Sequence, residues 1–412
     1  MNSISISIDD ILESLDLSRA EPGIGFLEAL FERFNARVPF ETATKILRHA
    51  QVRDREDMPR RPELFWREHL EQGAGGTCFA RVAAFAALLT DLGFEARPVL
   101  GQVEREFDHA AVWVTNRQRP WICDVGFPLP AILPAAAGEV ETALGLLAVS
   151  ETPRGFRIRF SDGVPEGPRS LEVFSAAAAP AEFDERWRAT FRPESRFLAS
   201  VVLRRQARGR VVSFASGVVR VDDRHTRLAV PLTQSRPARL ANVFEIEREL
   251  LDQAFGIVGD PPPDHTDSRL TAYLSSIASP PDAFAAIATP AGYRRLLEGV
   301  ARIESEEATS DGWRIVLAPP PADGQTSGQA LVEDVTARPD QRELRVRRRA
   351  GSREFESLFR AQELQGKSYL VREAILAGPR DDLLTNDALR GRLAGTLAVD
   401  LLAWARLIGS EV

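Results

Sequence analysis

The hydrophobic and polar positions of the chain change their spacing along its length. In segment 26–40 the apolar residues fall at positions 26, 27, 30, 31 and 34, a spacing typical of an amphipathic helix. From residue 95 onward, short apolar runs such as HAAVWVTN (109–116) and WICDVGF (121–127) are bounded by Gly, Pro or Asn and indicate strands. The first part of the chain is therefore predicted to contain helices first and a sheet after them.

A proline-rich segment, GDPPPDHTDS (259–268), interrupts the periodicity and predicts a linker between a domain at 1–258 and a domain at 269–412. After it the pattern predicts a strand, two short helices, at least five strands and a long final helix. That helix has one apolar stripe, formed by Leu389, Leu393, Leu397, Leu401, Trp404 and Ile408. We expect a multidomain α+β protein whose second domain packs a curved antiparallel sheet around its last helix.

The composition of the chain argues against a membrane protein, a nucleic-acid-binding protein and a metal-binding protein. The 412 residues are 44% hydrophobic and 27% charged, as in ordinary globular proteins, and no apolar run predicts a membrane span or a signal peptide. We therefore expect a cytoplasmic protein without a membrane partner. The net charge of -7 argues against nucleic-acid binding. Two cysteines and five scattered histidines lack metal-ligand spacing, so we predict no metal site and no bound cofactor.

Cys78 is predicted to open a helix. Thr77 is a suitable N-cap, apolar residues recur at helical spacing through Leu92, and Gly93 is suited to a left-handed C-cap. The unpaired N–H groups and the dipole at a helix start stabilise a thiolate, and Gly75 and Gly76 let a substrate approach the sulfur. A small buried packing residue is the alternative interpretation of Cys78.

His109 and Asp124 are candidate partners of this cysteine. They lie on two predicted strands joined by NRQR (116–119), which we interpret as a four-residue hairpin loop. If Thr115 pairs with Pro120, Asp124 lies opposite Ala111 and diagonally beside His109 on the same face. A Cys-His-Asp set suits acyl transfer, with a thiolate nucleophile, an imidazole base and a carboxylate that orients the imidazole.

The other cysteine and histidines receive structural interpretations. Cys123 is expected on the opposite face of its strand, as an apolar packing residue. The remaining histidines stand in polar surroundings, and we expect them at the surface: His49, His69, His225 and His265.

The segments AGGTCFARV (74–82), DHAAVWV (108–114) and DVGFPLP (124–130) resemble the R-G-G-x-C-x-E-L-N, D-H and D-V-G-F motifs of the arylamine N-acetyltransferase family. VPFETAT (38–44) resembles its P-F-E-N stretch, and the resemblance covers residues 10–258. It implies a cysteine-proteinase-like fold with a helical bundle, a β-barrel and an α/β lid. It also implies ping-pong acetyl transfer from acetyl-CoA, or another acyl thioester, to an amine. The substrate-binding residues that it implies are Phe40, Gly75, Gly76, Thr77, Gly126 and Phe127.

Four positions depart from the family motif. Ala74 replaces its arginine, and Ala80, Arg81 and Val82 replace E-L-N, which normally braces the active site. Because the nucleophile, base and acid remain, we expect retained thiol chemistry on a changed substrate.

Segment 273–307 and the final helix resemble the START-like or polyketide-cyclase (SRPBCC) superfamily. Such helix-grip domains enclose an apolar cavity, which implies an aromatic or polyketide-like ligand for residues 269–412.

Three function classes remain open from the sequence. The first is an acyltransferase, including an amide synthase or macrolactam-forming enzyme of secondary metabolism that takes its acyl chain from a carrier protein. The second is a thiol hydrolase or peptidase, in which water resolves the acyl-enzyme. The third is a binding protein without catalysis, favoured if the altered E-L-N region has dismantled the pocket.

Overall fold

The computed structural model of the protein describes residues 6–160, 170–232, 236–260, 262–263, 265–298, 301–318, 331–350, 353–364 and 367–408. Pro261 and Asp264 of the predicted linker lie outside the described residues. The chain divides into two compact units, and each is described by itself. The first comprises Met1–Arg224 and Leu232–Asp264, and the second His225–Pro231 and His265–Val412.

The first unit begins with helices, as the periodicity predicted. Its helices are α1 (Ile8–Ser14), α2 (Ile24–Arg37), α3 (Ala43–Gln51), α4 (Pro62–Gln72), α5 (Cys78–Asp91), α6 (Pro180–Ala189), α7 (Arg236–Phe244) and α8 (Arg248–Val258). Helix α5 is the centre of this unit, because every residue from Cys78 to Leu89 is buried. It ends where Gly93 adopts a φ of 88°, the left-handed conformation expected from the sequence.

Most strands of the first unit form an antiparallel eight-stranded sheet in the order β5-β4-β3-β2-β9-β8-β7-β6. These strands are β2 (Glu95–Gln102), β3 (His109–Asn116), β4 (Arg119–Cys123), β5 (Leu133–Pro134), β6 (Gly138–Thr142), β7 (Gly145–Thr152), β8 (Gly155–Phe160) and β9 (Ser170–Ala177). Helix α5 packs on β2 and β3. This packing brings the start of α5 to the strand that begins with His109.

Four further strands of the first unit pair antiparallel in the order β1-β10-β11-β12. They are β1 (Phe40–Glu41), β10 (Leu203–Ala207), β11 (Arg210–Ala215) and β12 (Val218–Asp222). The α+β class expected from the helices and strands is therefore present in this unit.

The hairpin of β3 and β4 has the predicted register, with Thr115 opposite Pro120 and Val112 opposite Cys123. The predicted four-residue loop is wrong, because Asn116 and Arg119 also pair. Only Arg117 and Gln118 form the turn, with φ values of 48° and 63°. Two residues with positive φ form the tight turn whose twist matches that of the flanking strands.

The second unit contains one antiparallel sheet in the order β13-β14-β20-β19-β18-β17-β16-β15. Its strands are β13 (Thr226–Pro231), β14 (Ser268–Ser276), β15 (Ile303–Thr309), β16 (Gly312–Leu317), β17 (Leu331–Arg338), β18 (Glu343–Ala350), β19 (Arg353–Leu364) and β20 (Lys367–Leu376). Its helices are α9 (Pro280–Ala285), α10 (Pro290–Leu297), α11 (Asp382–Thr385) and α12 (Asp387–Leu407). From β14 onward the elements follow the predicted order, but the short helix α11 was not predicted, and β13 comes from before the predicted linker.

Helix α12 packs against β14 and β20 of its own sheet. Leu397, Leu401 and Trp404 of the predicted stripe are buried, and the Trp404 indole donates a hydrogen bond to the Ala283 carbonyl at 2.8 Å. The helix also buries Asp400, which the apolar pattern did not indicate. Its carboxylate accepts a hydrogen bond from the buried Arg372 at 2.8 Å, so the polar group is satisfied inside the unit. Among the described helices, none has both the length and the apolar character needed to cross a membrane.

Candidate active site

Cys78 lies at the first position of α5, where the sequence predicted it. The two residues before Thr77 run parallel to β1: the Glu41 N–H donates to the Gly76 carbonyl at 3.2 Å, and the Gly76 N–H donates to the Pro39 carbonyl at 3.3 Å. Only glycine fits at position 75, since a Cβ there would lie 1.7 Å from the Pro39 oxygen. Thr77 occupies the N-cap position without a side-chain capping bond. The close backbone approach therefore fixes where the thiol enters the fold.

His109 and Asp124 form a buried pair beside this helix start. The His109 Nε2 lies 2.7 Å from Asp124 Oδ2, and the two side chains are 3% and 0% exposed. The other carboxylate oxygen, Oδ1, accepts the Phe127 backbone N–H at 2.8 Å. The sequence-based pairing of the two strands thus predicted two residues that the structure brings into direct contact.

The charge of the His109 imidazole is set by its neighbours. Burial lowers the pKa of His109, but the Asp124 carboxylate and hydrogen bonds to Asp124 and Cys78 outweigh it and raise that pKa to about 10. With Nε2 bonded to Asp124, the other ring nitrogen, Nδ1, is left for Cys78. The arrangement therefore favours the protonated imidazolium form of His109 at neutral pH.

Gly126 packs against both reacting residues. A Cβ at this position would lie 3.0 Å from the Cys78 Cβ and 3.1 Å from the His109 Cε1, and 2.4 Å from the Ala110 oxygen. Phe127 holds Asp124 through its backbone, while its ring packs near Phe160. Gly126 therefore keeps the cysteine and histidine close, and Phe127 positions the acid.

Cys78 opens into a cavity of about 330 Å³. The described residues that line it are Lys45, Cys78, Glu104, Arg105, Glu106, Phe107, Asp108, Glu185, Arg186, Ala189, Thr190, Arg192, Glu194, Ser195, Arg196 and Phe197. Phe40 is not among these lining residues, but its ring centroid lies 5.5 Å from that of Phe197, which is. Of the nine site residues predicted from sequence, Cys78 is the one that forms part of the cavity lining.

The structure adds Arg81, a fully buried cation that sequence reasoning noted only as a departure from the E-L-N motif. Its guanidinium donates to the carbonyls of Val125, at 2.7 Å, and Val38, and to the Asn35 side-chain oxygen at 2.8 Å. Burial lowers the pKa of Arg81 to about 9, although Asp124 opposes this effect. Because Val125 follows Asp124, Arg81 braces the segment that carries the acid.

Arg60 is a second cation that the sequence did not single out. It donates to the Gly75 carbonyl at 2.5 Å and to the Thr44 hydroxyl at 2.8 Å, and it is 3% exposed. It therefore fixes the glycine segment before Cys78. The signal that could have indicated such residues was the loss of Arg at position 74, which implies a replacement contact from elsewhere in the fold.

Cys123 and His69 are both buried, as predicted for the cysteine but not for the histidine. Cys123 is fully buried, and burial raises its pKa far above the ordinary thiol value. The expectation of a surface position for His69 is wrong: it is 7% exposed, its Nδ1–H donates to the Ala74 carbonyl at 3.0 Å, and burial lowers its pKa to about 4. A neutral imidazole satisfied by a carbonyl explains how it tolerates the interior.

A family model and several solved structures match part of the chain. Residues 24–145, which carry Cys78, His109 and Asp124, match the family model described as N-acetyltransferase. No curated protein sequence matches the chain.

Solved structures are similar to part of the chain. The chain is similar to the arylamine N-acetyltransferase of Salmonella typhimurium, with 18% identity and a TM-score of 0.53, over 61% of this chain and 99% of that one. It is similar to the enzyme of Mycobacterium marinum, with 18% identity and a TM-score of 0.54, over 61% and 100%. It is also similar to that of Nocardia farcinica, with 21% identity and a TM-score of 0.52, over 61% and 93%. At these identities the structures establish the fold. The matched segment supports an N-acyltransferase enzyme, and the 61% of the chain that these structures cover has the arylamine N-acetyltransferase fold.

Proposed function

We propose that the first unit transfers an acyl group from a thioester to an amine through an acyl-enzyme on Cys78, in a ping-pong reaction. The observation that carries this proposal is the buried His109–Asp124 contact of 2.7 Å beside a cysteine that opens a helix and lines a cavity. Acetyl-CoA is the co-substrate used by the family that the chain resembles, and it is the first donor to test.

The residues have defined roles in this mechanism. His109 Nδ1 accepts the Cys78 proton, and the thiolate attacks the thioester carbon. Nε2–H stays bonded to Asp124, which holds the tautomer and stabilises the imidazolium. N–H groups in the first turn of α5 lack helical acceptors and stabilise negative charge at the sulfur. The imidazolium protonates the leaving thiolate, and the neutral imidazole then takes a proton from the attacking amine.

Intact-mass spectrometry tests the first half-reaction. Mixing the protein with acetyl-CoA should add one acetyl group, and the Cys78→Ala variant should add none. Adding an arylamine should then remove the group much faster than buffer alone. Rapid loss in buffer would instead indicate a thiol hydrolase, and no adduct with acetyl-CoA or other acyl thioesters would reject the proposal.

We extend the proposal to the domain organisation. Residues 1–258, apart from His225–Pro231 of the second unit, form the catalytic domain, and 259–268 form the linker up to the start of β14 at Ser268. Residues 269–412 form a START-like domain that binds an apolar aromatic or polyketide-like ligand. The support is the sheet of the second unit with α12 packed on β14 and β20. Binding of planar aromatic compounds to the full chain should raise the melting temperature as ligand concentration increases. A melting temperature that stays unchanged across a varied aromatic set would reject this assignment.

The donor and its setting complete the proposal. The altered motif at Ala74, Ala80, Arg81 and Val82 accompanies a changed substrate, and an acyl chain on a carrier protein in secondary metabolism is one such donor. Acylation of Cys78 by acyl-carrier thioesters, faster than by the matching acyl-CoA, would support this extension, and equal or slower rates would reject it.

A further inference from the structure

Lys45 lies on α3 and lines the same cavity as Cys78. These two are 4% and 6% exposed, whereas the other described residues of the lining are half-buried or exposed. Lys45 and Cys78 therefore share the floor of the cavity, and the charged residues around them form its rim.

The Lys45 ammonium is without a hydrogen-bond partner among the described residues. It lies 4.9 Å from the ring centroid of Phe191 and 5.9 Å from that of Phe197. The faces of aromatic rings attract a cation but do not satisfy its three N–H donors. A buried ammonium without such a partner is costly, so the floor of the cavity is incomplete without an anion.

The acidic residues of the rim are engaged elsewhere or face solvent. Glu104 pairs with Arg196, Glu106 pairs with Arg154, and the Asp108 carboxylate accepts three backbone N–H groups from 103 to 105. Glu185 and Glu194 are exposed. The missing partner of Lys45 is therefore expected to come from a bound molecule.

The choice of lysine at this position fits that interpretation. Lysine occurs only at positions 45 and 367 among the 52 lysine and arginine residues of the chain. A compact ammonium fits between two aromatic rings and suits a single small anion, whereas a guanidinium is broader and planar. Burial lowers the pKa of Lys45 to about 8, against the opposing effect of Cys78, so the ammonium still predominates at pH 7.

We propose that Lys45 binds a carboxylate at the far end of the acyl group, and that the enzyme prefers dicarboxylic acyl thioesters such as malonyl or succinyl thioesters. This inference rests on the proposed acyl transfer at Cys78. The acyl group is bonded to the sulfur in the intermediate and must lie at the cavity floor, where Lys45 is. The amine enters later through the exposed rim.

The step balances without another reactant. The Cys78 sulfur forms a bond to the acyl carbon, the bond from that carbon to the donor sulfur breaks, and His109 supplies the proton of the leaving thiol. The far carboxylate stays intact and pairs with Lys45. Lys45 selects the acyl donor by this ion pair and takes no part in bond making, so it is a specificity-determining residue.

The first experiment compares pairs of thioesters with equal shape and different charge. Succinyl-CoA is matched by 4-methylpentanoyl-CoA, and malonyl-CoA by 3-methylbutanoyl-CoA. Acylation of Cys78, followed by intact mass, should be faster for at least one acid than for its neutral match. Lys45→Met should lower the ratio of the acidic to the neutral acylation rate by about tenfold or more, because a desolvated charge pair between Lys45 and the carboxylate is lost. The matched control, Arg192→Met, removes an exposed cation of the same cavity and should change the ratio less than about twofold.

The second experiment is independent of acyl transfer. Iodoacetate and iodoacetamide alkylate a thiol with loss of iodide and differ only in the carboxylate. The ratio of their rates at Cys78 should fall about tenfold in Lys45→Met and stay nearly constant in Arg192→Met. If the alkylation ratio depends on Lys45 but no acyl-enzyme forms with any thioester, the proposed function is rejected while carboxylate binding by Lys45 is still supported.

Three results would overturn the inference. The first is an equal loss of acylation rate with acidic and neutral thioesters in Lys45→Met, together with an unchanged ratio of iodoacetate to iodoacetamide alkylation. That result would show that Lys45 has a structural role. The second is a wild-type enzyme that prefers both neutral thioesters. The third is a preference for acidic over neutral compounds that depends on Lys45 but appears only in the second half-reaction, as faster release of the acetyl group from Cys78 by 4-aminobenzoate than by aniline. That result would mean that the carboxylate bound by Lys45 belongs to the amine substrate.

Discussion

Asp124→Asn tests the acid of the triad with the smallest change of shape. In the wild type Asp124 Oδ1 accepts the Phe127 N–H at 2.8 Å, and Oδ2 accepts the His109 Nε2–H at 2.7 Å. An asparagine must keep its oxygen towards Phe127, since the reverse orientation directs an NH₂ group at an N–H donor. The NH₂ group then faces His109, which must present a lone pair at Nε2 and carry its proton on Nδ1.

That tautomer cannot take the proton of Cys78. When the acid of a Ser-His-Asp triad is changed to its amide, the rate falls about 10⁴-fold, or roughly 5.5 kcal/mol, and we expect a loss approaching this for acylation of Cys78. The loss should appear in the acylation rate at saturating thioester, because the cavity lining itself is unchanged.

The assay is a quenched time course of acyl-enzyme formation measured by intact mass, with circular dichroism and thermal melting to show that the variant is folded. Asp184→Asn is the matched control, because it makes the same change at the partly exposed ion pair with Arg61, and it should stay within about twofold of the wild type. A folded Asp124→Asn protein that acylates within about tenfold of the wild-type rate would refute the assigned role.

The Cys78 thiol, the buried Arg81 and the His109–Asp124 pair can each be tested separately. Iodoacetamide should label Cys78 near neutral pH much faster than Cys123, whose pKa is raised by burial; mass mapping that finds equal labelling would contradict the nucleophile assignment. Arg81→Met leaves three buried acceptors without a donor and should lower the unfolding free energy by about 3 kcal/mol in urea titrations, while slowing acylation; a change below about 1 kcal/mol would disprove the brace. The pKa of His109 is about 10 in the folded protein and 6.5 in the unfolded chain, so the stability that its pair with Asp124 contributes is complete below pH 6.5 and is lost as the pH rises towards 10. The difference in unfolding free energy between the wild type and Asp124→Asn should therefore narrow over that pH range. A difference that stays constant or widens would contradict this prediction.

The sequence by itself determined the parts of this site that depend on short-range rules. Helical periodicity and the flanking glycines placed Cys78 at the start of α5, and strand alternation fixed the register that brings His109 beside Asp124. These predictions succeeded because a helix start and a hairpin register are specified by residues close together along the chain. The turn was predicted as too long because strand pairing extends into polar residues that the hydrophobic pattern does not mark.

Only the tertiary structure decided which polar side chains are buried. Lys45 stands in the segment ATKILRHAQ, Arg81 in a run of apolar residues and His69 in a charged helix, and nothing in their local patterns separates them from surface residues. Their burial depends on α3, α4 and α5 meeting segments distant in sequence, including Phe191 and Phe197 over Lys45, and Val38 and Val125 at Arg81. The free energy of a charged group is set by the solvent and the partners around it, so the cation at the cavity floor could be found only after the fold had brought those partners together.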